Sequence, residues 1–79
     1  MNENYQTPIS YKSIARAESI IRRPADGSVA NAQARQIAAA HLFAAAEKFE
    51  AFAEKDPDSE VAVYLNTKAK ELRITACCA

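Results

Sequence analysis

Between Val29 and Lys55 the chain contains neither glycine nor proline, and the stretch "AAAHLFAAA" at its centre sets six alanines around His41, Leu42 and Phe43. Alanine is the strongest helix former, so this segment is predicted to be one helix roughly 40 Å long at ~1.5 Å rise per residue. Ser28 stands immediately before it as a capping residue. A rod of that length dictates the rest of the fold, because every other element must pack against it. At about 100° per residue it carries two apolar stripes. Ala38, Leu42, Ala45, Phe49 and Phe52 form the first. Ala32, Ala39, Phe43, Ala46 and Ala53 form the second, which Glu50 interrupts. Two stripes require cover on two sides. Small side chains in both let neighbouring backbones come close, which brings more atoms into contact per residue.

The flanking segments supply two shorter helices. In "TPISYKSIARAESIIRRP", Thr7 can cap, Pro8 suits the first helical position, and Ile14, Ala17 and Ile21 fall on one face with Ile20 beside them. Arg22 and Arg23 lie in the last turn, where the helix dipole favours cations, and Pro24 stops the helix. "PADGS" holds the only glycine and reads as a turn. In "DPDSE", Asp56 can cap and Pro57 can open a third helix, whose stripe is Val61, Leu65, Ala69 and Leu72 with Tyr64 at its margin. The expected fold is therefore all-α: one small domain of three helices, at about 8–23, 29–55 and 57–74, arranged up-down-up. Residues 1–7 and 75–79 are expected to be flexible.

Composition limits function. The 79-residue chain has a formal net charge of zero and no general pull toward nucleic acid or anionic membrane. Charge is unevenly spread. Six carboxylates face two lysines in residues 47–60, while both flanking regions are mildly basic. No segment approaches the ~20 apolar residues of a membrane span, and the polar start "MNENYQTP" lacks the core of a signal peptide, so the expected address is cytoplasmic. Cys77 and Cys78 are adjacent and lack metal-site spacing. His41 has no second histidine for a metal and no motif around it for base catalysis, so it is expected on the rim of the first stripe. No phosphate loop, metal motif or nucleophile elbow is present; the chain is expected to be no enzyme and to use no cofactor, metal or small-molecule substrate.

The segment "AEKFEAFAEKDPDSEVAVYLNTKAKEL" resembles the junction of two tetratricopeptide repeats, with Ala45, Phe49, Pro57 and Leu65 at matching positions. Phe52 and Asn66 depart from that pattern and nothing upstream of Ala45 fits it. The resemblance implies helical-hairpin geometry only. The functional expectation is a non-catalytic protein-protein interaction module, an adaptor or inhibitor of a larger assembly, in the size and style of phage and mobile-element accessory proteins. The second stripe is expected to be partly bare in a monomer. A homodimer would cover Ala39, Phe43 and Ala46, and Glu50, Glu54 and Asp58 would meet a basic partner. The rival reading is a helical nucleic-acid-binding or transcription-regulating protein using Lys12, Arg16, Arg22, Arg23 and Arg35.

Overall fold

The computed structural model describes residues 9–79 as three α-helices joined by short turns. These are α1, Tyr11–Arg22, α2, Val29–Lys55, and α3, Glu60–Cys77. Thr7 and Pro8, like the rest of the N-terminal segment, lie outside the described residues. Ser10 is the cap of α1, in a reciprocal box. Its Oγ accepts from the Ser13 N–H at 3.1 Å, and Ser13 Oγ accepts from the Ser10 N–H at 2.8 Å. Arg23 is extended before Pro24, which forbids a further helical residue. In the turn that follows, Gly27 has φ of +83°, a conformation that favours glycine. Asp26 accepts from both the N–H and the hydroxyl of Ser28, which holds its carboxyl below the usual carboxylate value. Ser28 in turn caps α2, as the sequence predicts.

Two boundaries of α3 differ from expectation. Its cap is Ser59, not Asp56; Pro57 and Asp58 lie in the turn. Asp56 instead offers its carbonyl to the Ser59 N–H at 3.2 Å and to the Ser59 hydroxyl at 2.9 Å, and this holds Ser59 in place over the first turn. At the other end, the expected flexible tail is helical through Cys77, and Ala76 is buried.

Arg35 explains that ordered end. Its guanidinium donates to the carbonyls of Ile21 at 2.9 Å and Arg23 at 2.8 Å, and also to that of Cys78 at 3.1 Å. One cation thus satisfies carbonyls at the C-terminal ends of both α1 and α3, where the helix dipoles place negative charge. It also fixes the topology. The C-termini of α1 and α3 meet near the start of α2, so α2 runs antiparallel to both.

Each flank of α2 has its own neighbour. His41 and Glu50, nine residues apart, project from opposite sides of the helix. His41 Nε2 is 2.9 Å from Ser13 Oγ on α1, and Glu50 binds Arg73 on α3. α3 runs along most of α2, whereas α1 covers the first half of α2 and barely touches α3. The described chain is consequently flat, 45 × 33 × 15 Å.

The core is built largely of alanine. Among the described residues Leu42 and Leu72 are the only large side chains fully enclosed; around them are buried Ile14 and Ile21, and alanines from all three helices. Ala39, Ala46 and Ala53 recur at seven-residue intervals on α2, as do Ala62, Ala69 and Ala76 on α3. Antiparallel pairing with Arg35 opposite Cys78 runs these two rows past each other, and all but Ala39 are buried. The stripe of α3 is therefore Ala62, Ala69, Leu72 and Ala76 with Leu65 half-buried; Val61, expected in it, is exposed.

Candidate functional site

The second stripe of α2 is covered in part, with Ala46 and Ala53 buried and Ala32 exposed. Ala46 is fully enclosed, and Ala39 and Phe43 are half-buried and packed against the core. The face expected to meet a second copy is thus largely the seat of α3, and Ala46 has no surface left to give. Of the acidic residues assigned to a partner, Glu50 is engaged: Arg73 Nη2 and Nε donate to its two carboxylate oxygens at 2.7 and 3.2 Å. The guanidinium holds the Glu50 carboxyl below the usual value, and Glu50 raises Arg73 in return. Glu54 and Asp58 are exposed, near the turn between α2 and α3.

The five cations of the nucleic-acid reading separate into two groups. Arg35 is bound to three carbonyls, and Arg22 lies 3.7 Å from Glu18 one turn earlier. Lys12, Arg16 and Arg23 share the outer face of α1, opposite its buried Ile14, Ala17 and Ile21, and all three are exposed.

The apolar surface that remains lies elsewhere. Ile37 is 71% exposed on α2, and Val61, Val63, Tyr64 and Ile74 are each more than 60% exposed on α3. Phe52, also exposed, carries the ammonium of Lys55 over its ring at 4.9 Å. Beside Ile37, the side chains of α1 and α2 that face away from α3 leave a trough of about 300 Å³. Ala17 and Ile20 line it from α1, and Ala34, Ile37 and Ala38 from α2. Arg16, Ser13 and His41 are the polar groups on its walls. Sequence reasoning placed Ile20 beside the first face and His41 on a rim, but did not join them. The trough exists only once α1 is laid antiparallel on α2.

The Ser13–His41 pair at the end of this trough brings a hydroxyl and an imidazole together. Ser13 Oγ, however, already accepts from the Ser10 N–H and lies 3.0 Å from the Ser10 carbonyl. Among the described residues no carboxylate is bonded to the ring to orient it as a base. The geometry is that of a pin holding α1 to α2. Among the described residues no three of His, Cys, Asp or Glu come together to hold a metal ion, and no helix is long and apolar enough to cross a membrane. Comparison with family models, curated proteins and solved structures gives no match for this chain.

Proposed function

We propose that this protein acts by binding other protein, without chemistry of its own, as an adaptor or inhibitor of a larger assembly in the cytoplasm. One observation carries the reading. Beyond Ile14, Ile21, Leu42 and Leu72 the core is alanine, and several of the larger apolar side chains stay outside, Ile37, Val63, Tyr64 and Ile74 among them. Burial gains of about 25 cal/mol per Å² are largest for those outer residues, so association rather than folding is where their apolar area is removed from water. A second copy and a foreign protein both satisfy this reading. For a second copy, the interface moves from the Ala39–Phe43–Ala46 stripe to the exposed faces of α2 and α3.

Native affinity capture and light scattering together test it, using wild type and the single variants Ile37→Asp, Tyr64→Asp and Ile74→Asp. At least one substitution releases a captured protein or reduces the measured mass of the complex. Identical capture and identical mass in all four proteins would overturn the reading.

A further inference from the structure

Resting on that reading, we infer that the α1–α2 trough receives an acidic amphipathic helix of a partner protein, seated against Ile20 and Ile37 with its carboxylates on Arg16. The floor is apolar: Ile20 from one wall and Ile37 from the other flank a run of small residues, so a ridge of large side chains can enter. Two antiparallel helices with small residues between them present a groove of the kind that accepts a third helix through its i, i+3, i+4 and i+7 positions.

Charge selects the sign of the occupant. Arg16 is on the wall, Lys12 lies one turn before it on the same face of α1, and Lys48 lies two turns beyond His41 on the same face of α2. Among the described residues the nearby carboxylates are turned away. Glu18 lies on the α3 side of α1, beside Arg22 and Lys68, and Glu47 and Glu50 act on Arg73 at the far flank of α2. An occupant with carboxylates beside its apolar ridge meets Arg16 on the α1 wall, with Lys12 and Lys48 further along the two helices, whereas a basic helix meets repulsion. A nucleic-acid backbone finds the cations too, but leaves Ile20 and Ile37 in water, so the apolar floor favours a helix.

The test uses two labelled 16-residue helical peptides with leucine at i, i+3, i+7 and i+10, one carrying glutamate at its other charged positions and one carrying lysine. Fluorescence anisotropy is followed at low and high salt, beside a labelled DNA duplex. The glutamate peptide binds, its affinity falls with salt, and Ile37→Asp and Arg16→Glu each weaken it at least about tenfold. Arg16→Glu also narrows the gap to the lysine peptide. Ile37 is exposed, so the helicity of Ile37→Asp stays that of wild type. Four binding results would overturn the inference, and a fifth comes from light scattering. The four are no binding of the glutamate peptide up to millimolar concentration, equal binding of both peptides, binding unaffected by either variant, and duplex binding that depends on Arg16 and exceeds that of the peptide. Light scattering separates this from the broader reading. A wild-type dimer abolished by Ile37→Asp would make the trough a self-interface, which overturns the acidic-helix inference and leaves protein association standing.

Discussion

Arg35 donates to carbonyls at the ends of two different helices, and among the described residues no other side chain hydrogen-bonds across all three elements. A hydrogen bond to a charged group contributes about 1.5–3 kcal/mol, and Arg35 has a forked set of donors that a lysine cannot reproduce. Arg35→Met keeps much of the apolar stem while removing every donor. It is expected to cost about 2 kcal/mol, which for a domain this small is a fall in melting temperature of roughly 10 °C. Arg35→Lys recovers only part of it. Thermal melting followed by circular dichroism measures both; a melting temperature for Arg35→Met equal to wild type would show that the three contacts contribute nothing. The same residue shows what a sequence conceals. As a cation near the start of α2 it reads equally well as a nucleic-acid contact. Its use as a clamp depends on where the ends of α1 and α3 arrive, which no local pattern records.

At the scale of the element, the three helices were legible because their signals are local: alanine content, Ser28 before α2, Pro24 after α1, and the 3–4 spacing of Ile14, Ala17 and Ile21. The start of α3 was not, because "DPDSE" holds two capping signals three residues apart and only the turn geometry chooses between them. Ser59→Ala is expected to lose about 1 kcal/mol, and Asp56→Ala a few tenths at most, in urea unfolding. The reverse order would restore Asp56 as the cap. The burial of Ala46 and Ala53 in the second stripe was less legible. Its signal was present in the seven-residue spacing of Ala62, Ala69 and Ala76, which matches that of Ala39, Ala46 and Ala53; the expected stripe of α3 held Leu65, Ala69 and Leu72 correctly but took in exposed Val61 in place of Ala62 and Ala76. Close approach of α2 and α3 leaves no room at these positions. Ala46→Leu and Ala69→Leu are each expected to destabilise by about 1–3 kcal/mol, although leucine and alanine are both strong helix formers. Ala44→Leu, on the exposed side of α2, is the control and stays near wild type. Stability unchanged in all three variants would mean that the rows are not in contact.

For the whole molecule, the question is why a chain with so few large apolar residues leaves several of them in water. Folding does not account for it. Leu42 is fully enclosed, and Leu42→Ala is expected to cost about 2–5 kcal/mol through lost burial and the cavity left behind. Val61, Val63 and Ile74 are each more than 60% exposed, and replacing side chains so placed shifts stability by only about 0.5 kcal/mol or less each. The triple variant Val61→Lys, Val63→Glu, Ile74→Lys should therefore unfold in urea close to wild type, while Leu42→Ala unfolds far earlier or fails to fold. The contrast bears on function, because residues that contribute little to the fold are free to be held for a contact outside it. Should the triple variant prove as unstable as Leu42→Ala, those side chains would be part of the fold's own support. The flat alanine-cored slab would then have no surplus apolar surface to offer, and the case for a protein partner would rest on the α1–α2 trough alone.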